Sequence, residues 1–172
     1  PVLLNRHRSA GGVIGAVRNR SLPQPPAGGP AAVERWWASL NQEQRERLIE
    51  EGPDLIGNLD GGPLAVRSRA NANRVRSHLS DPTRDRSMDG ELRELLAEYD
   101  SFGPTGGVTA DADVPAAPKI LLFDPTGDGK LAVAYGSLYY KGNSTIYVPG
   151  TGASIEKFGI TRGNAKSLYQ AS

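Results

Sequence analysis

The chain has 172 residues, a length that suits one domain with a buried core, and 20 basic against 19 acidic residues. The resulting net charge of +1 lacks the concentrated basic excess of a dedicated nucleic-acid-binding protein, and the absence of Cys excludes disulfides and a thiolate nucleophile. The sequence shows neither a transmembrane stretch nor a Sec signal, so we expect a soluble protein that is cytoplasmic or exported by another route.

Residues 1–30 differ in composition from the rest of the chain. They contain four arginines and no acidic residue, and they end in a proline-rich run. Such a run favours an extended arm or linker over a packed element. The arginines could contact an acidic partner or a lipid, but a solvated linker that wraps a larger body is the simpler interpretation.

Residues 31–118 are predicted to be a helical segment. Val33, Trp36, Trp37 and Leu40 are spaced as one face of a short helix. Asn41, with Gln three positions later, forms a capping-box pattern that starts a second helix, and Gly-Pro at 52–53 ends it. The two tryptophans could line a ligand groove, although anchoring this pair of helices on a larger surface is the more common use.

A third helix is predicted after Pro63, with Leu64, Val66, Ala70, Val75 and Leu79 facing a core. We expect its four arginines, at positions 67, 69, 74 and 76, to be solvated or paired with acids rather than to grip phosphates. No nucleophile is placed beside His78 by the local sequence, so we assign it no catalytic role.

Residues 88–99 give the clearest helical pattern. An amphipathic stripe predicts this helix, with Ser87 as its N-cap, and consists of Met88, Leu92, Leu95, Leu96 and Tyr99. A partner groove could receive the stripe, but packing in this protein's own core is the default. The Gly-, Pro- and Ala-rich stretch 101–118 then predicts a long surface connection.

Residues 119–172 are predicted to open a sheet. The apolar run 120–123 predicts a strand covered on both faces, and the return after Asp128-Gly129 predicts a β-hairpin. The turn begins like a calcium-binding EF-hand loop, but Tyr135 stands where a bidentate Glu is needed. We therefore predict a turn, and neither a metal nor a cofactor in this chain.

A third strand is predicted at residues 145–148, followed by Gly150, Thr151 and Gly152 and then by a helix. A glycine-rich loop between strand and helix exposes backbone N–H groups that can hold a phosphate or an oxyanion. Neither phosphate-binding fingerprint is present, and spacing alone leaves a plain turn and an anion-binding loop equally open.

The order hairpin, strand, glycine-rich loop and helix resembles the beginning of the α/β-hydrolase fold. Further characteristic segments follow in sequence order over residues 33–171: Trp36-Trp37-x-x-Leu40, Leu48-Ile49, Ile56-Gly57-Asn58-Leu59-Asp60-Gly61, Arg69-Ala70-Asn71, Phe123-Asp124-Pro125-x-Gly127-Asp128-Gly129 and Val148-Pro149-Gly150-Thr151-Gly152. In these segments the chain is similar to an actinobacterial α/β-hydrolase family that carries a domain-of-unknown-function label.

The resemblance implies the N-terminal portion of a serine hydrolase, with Gly150, Thr151 and Gly152 as candidates for one wall of the oxyanion hole. The nucleophile elbow G-x-S-x-G should follow later, yet it occurs nowhere in these 172 residues, so this chain holds no catalytic residue of its own. We expect the nucleophile on a C-terminal part or a second chain, produced by cleavage of one precursor, and a small acyl compound as substrate.

Two alternatives remain open at this point. One is a non-catalytic protein-interaction module formed by the helices and the arginine-rich arm. The other is an acyl transferase or cyclase that uses a hydrolase-like site from which water is excluded.

Overall fold

The structure, a computed structural model, describes residues 21–107, 114–137, 146 and 153–171. These residues form a mixed α/β structure of six α-helices and one two-stranded antiparallel sheet. The elements are α1 Pro30–Ser39, α2 Gln42–Glu51, α3 Pro53–Ile56, α4 Leu64–Ser80, α5 Asp89–Asp100, β1 Lys119–Asp124, β2 Lys130–Ala134 and α6 Phe158–Gln170.

The first two helices meet at the predicted capping box. The side chain of Asn41 accepts a hydrogen bond from the backbone N–H of Gln44 at 2.9 Å, and the side chain of Gln44 accepts one from the N–H of Asn41 at 2.9 Å. The predicted stop is also confirmed, because α2 ends at Glu51 and α3 begins at Pro53.

Helices α1 to α4 enclose a first apolar core. Trp37 is buried in it, whereas Trp36 is half-buried at its margin, so the tryptophan pair packs within this chain. The buried members of this core are Trp37, Leu40, Leu48, Ile49, Ile56 and Ala70.

Helix α4 connects this core to a second one. Ala70 and Val75 are buried as predicted, and Leu79 packs against the second core. Leu64 is 39% exposed instead, because it is the first residue of the helix and no described residue covers it fully. Pro63 directly precedes the helix, close to its predicted place.

Helix α5 contributes its whole predicted stripe to the second core. All five residues of the stripe, of which Met88 is the first and Tyr99 the last, are buried, which confirms the helix and its orientation. The predicted N-cap is wrong, since Met88 occupies the cap position and no side chain caps the helix. Ser87 instead donates its N–H to the carboxylate of Asp85 at 2.9 Å, in the turn before the helix.

The hairpin lies on α4 and α5 through one face. A bulge between Ile120 and Leu122 interrupts the regular alternation of β1. Because of this extra residue, Ile120 and Phe123 both face the second core although they are three positions apart. Leu121 and Leu122 are only half-buried, so the expected cover on both faces is not found among the described residues.

The predicted third strand at 145–148 lies mostly outside the described residues. Its one described residue, Ile146, is not in a strand and is 85% exposed. The helix expected after the glycine-rich loop is present as α6, which a 3₁₀ turn at Ile155–Lys157 introduces.

Candidate functional site

The candidate oxyanion loop Gly150, Thr151 and Gly152 lies outside the described residues. Its exit is described, because Ser154 leads into the 3₁₀ turn and Ile155 is buried in the second core. The N–H of Ile155 points to the carbonyl of Asp128 in the hairpin turn at 3.5 Å. The hairpin turn and the start of α6 therefore form one packed unit at the end of the loop.

Gly129 makes this close packing possible. Its φ of +76° lies in the left-handed region, and a Cβ there would sit 2.5 Å from Cδ1 of Ile155 and 3.0 Å from Sδ of Met88. Any side chain at this position would push the hairpin turn away from the 3₁₀ turn. The predicted Asp128-Gly129 bend thus also fixes where the loop ends.

A polar cleft of about 290 Å³ opens beside this unit. Its walls are Asp85, Ser87, Met88, Gly127, Asp128, Ser154 and Glu156. The carboxylates on different walls give the cleft a negative character, but no group of described residues has the arrangement of a metal site. The cleft lies next to the loop exit and can admit solvent or a small polar group there.

Asp124 holds the turn between the strands together. Its carboxylate accepts hydrogen bonds from the N–H of Thr126 at 3.0 Å and from the hydroxyl of Thr126 at 2.6 Å, and it pairs with Lys130 at 3.2 Å. These bonds, chiefly those from Thr126, lower the pKa of Asp124 from 3.8 to about 2. Its carboxylate thus serves the turn, which confirms the turn interpretation of this segment.

Asp124→Asn should therefore lower the thermal midpoint at neutral pH, and the difference from the wild type should disappear as the pH falls. The folded pKa of about 2 is below the ordinary value of 3.8, so the carboxylate stabilises the fold above pH 3.8 and loses this effect toward pH 2. Thermal unfolding of both proteins between pH 7 and pH 2 measures this. Asp128→Asn, at an exposed neighbour in the turn, is the control; a gap that persists at pH 2 would contradict the assignment.

Asn58 forms hydrogen bonds with the outer edge of β1, which is the edge that faces away from β2. Its side chain accepts the N–H of Phe123 at 3.1 Å and donates to the carbonyl of Phe123 at 2.8 Å. This pair of bonds replaces what a neighbouring strand would provide. Arg74 donates to the same carbonyl and also pairs with Asp54 at 2.7 Å.

Helix α4 supplies the remaining bonds to this edge. The hydroxyl of Ser68 accepts the N–H of Ile120 at 3.1 Å, and Asn71 donates to the carbonyl of Ile120 at 3.1 Å. Arg67 donates to the carbonyl of Leu121, the bulged residue, at 3.0 Å. The outer edge of β1 is therefore closed by side chains, and a further strand cannot pair there without displacing them.

Asn71 is the centre of this arrangement. It is fully buried, and its amide also donates to the carbonyl of Gly57 at 2.8 Å, while its oxygen accepts from Arg74 at 3.0 Å. A Cβ on Gly57 would lie 2.4 Å from that oxygen, so glycine is required by the close approach. The Gly57-Asn58 and Asn71 positions of the family-like segments thus meet at the same sheet edge.

The other two arginines of α4 bind carboxylates, as predicted. Arg69 lies 3.0 Å from Glu46, and Arg76 pairs with Asp100. Arg67 and Arg74 differ from the prediction because they also reach the backbone of β1, so they belong to the sheet edge as well as to the surface.

Lys119 is buried although it begins a strand and carries a charge. Its ammonium donates to the carbonyls of Val114 at 2.7 Å, Pro115 at 3.2 Å and Gly136 at 2.8 Å. These acceptors come from the segments before β1 and after β2. Lys119 therefore ties the two open ends of the hairpin together.

Helix α6 is attached to α5 by a cluster of charges. Glu98 accepts from Lys166 at 2.7 Å, from Arg162 at 3.3 Å and from the hydroxyl of Tyr135 at 3.3 Å. Burial and the neighbouring Glu98 carboxylate raise the pKa of Tyr135 well above its ordinary value of 10. The cluster brings together α5, α6 and the residue that follows β2.

His78 packs edge-on against Phe123, with the ring centres 5.7 Å apart. Its buried Nε2 has no hydrogen-bond partner among the described residues. The structure therefore gives this histidine a packing contact and does not pair it with a nucleophile in the described part of the chain.

The sequence analysis missed the polar residues that close the edge of β1 and the buried Lys119. One signal was available for Ser68 and Asn71. Both lie on the buried face of α4, together with Ala65, Ala72 and Val75. A polar residue on a buried face needs a partner, and here the partners are backbone groups of the sheet.

Comparison with known proteins finds two curated relatives from one species. The chain is 33% identical over 154 residues to the uncharacterized protein Rv2079 of Mycobacterium tuberculosis (strain H37Rv), a match that covers 77% of this chain and 24% of that protein. The uncharacterized protein MT2140 of Mycobacterium tuberculosis (strain CDC 1551) matches with the same values. The chain thus spans about a quarter of the length of the curated relatives it matches. No family model and no solved structure matches it significantly.

In the described part of the chain, no helix combines the length and the apolar character that crossing a bilayer requires.

Proposed function

We propose that this chain is the N-terminal portion of an α/β-hydrolase-like protein and frames a serine hydrolase site whose nucleophile lies on further polypeptide. The observation that carries the proposal is the closed outer edge of β1, built by Asn58 and Asn71. Because side chains close this edge, a sheet that grows from the hairpin can grow only beyond β2. This supports the proposal that β1 is the first strand of a larger sheet.

The positions of the family-like segments support this interpretation. Gly57, Asn58 and Asn71 meet at β1, and Gly129 lets the hairpin turn pack on the exit of the glycine-rich loop. Four of the residues that carry the resemblance therefore have a structural reason to be what they are. Hydrogen bonds with Asn58, Ser68 and Asn71 hold β1 in place, and a strand fixed in this way can help to position a catalytic loop.

In the proposed reaction, a serine of the further polypeptide attacks the carbonyl of a small ester or amide, and a histidine there takes the serine proton. The contribution of this chain to the proposed reaction is electrostatic. A backbone N–H in the loop of Gly150, Thr151 and Gly152 donates to the oxyanion as negative charge develops on the substrate oxygen. An acyl transferase or cyclase would use the same contact with a different acceptor.

A non-catalytic interaction module is the second candidate, and one observation favours it. Helix α6 buries no residue and exposes Ile160 by 75% and Leu168 by 47%. Two exposed apolar side chains on a helix that buries none can contact a partner protein without any chemistry taking place.

Fluorophosphonate labelling tests the hydrolase proposal. An affinity tag on this chain isolates its assembly from the source cells, and the probe is then added to that assembly. Thr151→Pro removes the N–H at position 151 and should slow labelling by about 100-fold, since an oxyanion donor is worth roughly 10²–10³ in rate. Thr151→Ala keeps the N–H and should label at nearly the wild-type rate. An assembly that never labels would overturn the proposal and favour the interaction module.

A further inference from the structure

Helix α6 is a weak helix by its own sequence. It has 13 residues, it contains Gly159 and Gly163, and no side chain caps its start. Glycine is an unfavourable residue in helices, and isolated helices of this length are marginal in water. The first turn also lacks an acidic residue that would interact with the helix dipole. The helical form of α6 therefore depends on contacts with the rest of the molecule.

Helix α5 directs an acidic face toward α6. Its residues Glu91, Glu94 and Glu98 have helical spacing, so they lie on one side of α5. A carboxylate oxygen of Glu94 lies 2.8 Å from a guanidinium nitrogen of Arg162. The carboxylate of Glu98 lies 3.3 Å from the same guanidinium and 2.7 Å from the ammonium of Lys166. Dissolved salt can reach these ion pairs, because the side chains of Glu94 and Lys166 are 68% and 40% exposed.

Glu91 lies at the start of α6. A Cβ on Gly159 would be 2.7 Å from Oε1 and 2.9 Å from Oε2 of Glu91, so the carboxylate lies against the backbone of the first turn. Its Oε2 is buried and has no hydrogen-bond partner among the described residues. Negative charge at this end of a helix is stabilising, because the unpaired N–H groups there carry partial positive charge. Glu91 thus supplies from α5 the anion that the first turn of α6 lacks.

The order of these contacts shows that the two helices run in the same direction. The first glutamate of the acidic face lies at the start of α6, and the last one pairs with Lys166, farther along the helix. Dipoles that lie side by side and point the same way repel each other, so the backbone charges oppose this packing. The ion pairs counteract this repulsion, and the packing of α6 on α5 therefore depends on charge.

We propose that α6 is a conditional helix, which the three glutamates of α5 keep folded and which melts when salt screens their charges. Helix α5 itself does not depend on these ion pairs, because its apolar stripe is buried in the second core. Ile155 is buried there too, so the chain stays anchored just before α6. The proposal describes an order–disorder element and does not require the proposed hydrolase function.

Amide hydrogen exchange at low and high salt tests the proposal on the 172-residue chain. The Debye length falls from about 30 Å at about 0.01 M NaCl to about 3 Å at about 1 M, so high salt screens the ion pairs. The amides of α6 should then exchange about 10-fold faster, whereas those of α5 should change by less than about 2-fold. Exchange of α6 that does not respond to salt, as expected if apolar contacts hold the helix, would overturn the proposal. Equal acceleration in both helices would also overturn it, since the whole molecule would then be opening.

Arg162→Gln tests the ion pairs directly, because it removes both contacts of the guanidinium and keeps a long polar side chain. The amides of α6 should exchange about 10-fold faster than in the wild type at low salt, and added salt should have less effect. Arg93→Gln is the matched control, since Arg93 is 61% exposed and lies 3.5 Å from Asp89 of its own helix. Equal acceleration of α6 in the two variants would assign the effect to net charge and contradict the proposal.

Two further variants separate the weakness of the helix from the charge at its start. A Cβ on Gly163 would meet no atom within 4 Å, so Gly163→Ala should slow the exchange of α6 about 5-fold at low salt by raising helix propensity. Glu91→Gln should accelerate this exchange about 3-fold, because the anion at the start of α6 is lost. An unchanged rate in Gly163→Ala would show that α6 is not limited by its own weak propensity. An unchanged rate in Glu91→Gln would contradict the role of the carboxylate.

Discussion

Asn71→Ala should lower the free energy of unfolding by about 3–4 kcal/mol. The asparagine is fully buried and donates to the carbonyls of Gly57 and Ile120 at 2.8 and 3.1 Å. Its removal takes a donor from both carbonyls and one of three acceptors from Arg74, and it creates a cavity between α4 and β1. Chemical denaturation followed by circular dichroism measures the loss.

Asn73→Ala is the matched control on the same helix. Asn73 is only half-buried and donates to the carbonyl of Ile49 at 3.0 Å, so its replacement should cost about 1 kcal/mol. Equal losses in the two variants would show that the buried amide contributes nothing beyond an ordinary surface hydrogen bond. The hydrogen bonds that Asn71 makes at the closed edge of β1 would then not be an important source of stability.

Lys119→Met should lower the free energy of unfolding by about 2–3 kcal/mol. Methionine fills a similar volume but cannot donate to the carbonyls of Val114, Pro115 and Gly136, which the buried ammonium holds within 3.2 Å. The carbonyls of Val114 and Pro115 keep the N–H groups of Ala117 and Gly136 as donors, and relief from burying a charge offsets part of the loss. The loss of three hydrogen bonds from a charged donor outweighs this relief. Urea denaturation at neutral pH gives the difference.

Lys130→Met tests whether the effect is specific to the buried position. Lys130 lies in the same hairpin, and its side chain is 71% exposed beside Asp124, so the replacement should change stability by less than about 1 kcal/mol. If Lys119→Met were as mild as this control, Lys119 would not be what ties the ends of the hairpin together.

The local features of the fold were predictable because short patterns determine them. The stripe from Met88 to Tyr99 has helical spacing and is buried as a whole. The pair Asn41 and Gln44 caps α2 through side chains three residues apart. In each case the interacting residues are neighbours in the sequence, so their spacing alone contains the information.

The sheet edge was not predictable for the opposite reason. Asn58 binds a residue 65 positions later, and Asn71 binds one 49 positions later. No local periodicity relates such partners. The bulge in β1 was hidden as well, because an apolar run such as residues 120–123 looks the same with or without an extra residue.

The candidate site was predictable only in part. The hairpin turn and the helix after the loop are where the sequence placed them, and Asp128-Gly129 forms the bend. The catalytic role of Gly150, Thr151 and Gly152 stays a prediction, since these residues lie outside the described part of the chain. The proposed nucleophile is not in the chain at all, so its position has to be found by experiment.

The location of the fluorophosphonate adduct is the most direct test of the central claim that this chain frames a site completed by further polypeptide. After labelling of the isolated assembly, tandem mass spectrometry of its peptides identifies the modified serine. We predict a serine within a G-x-S-x-G segment that is not among these 172 residues. A modified serine within the 172 residues, or an assembly that stays unlabelled at any probe concentration, would contradict it.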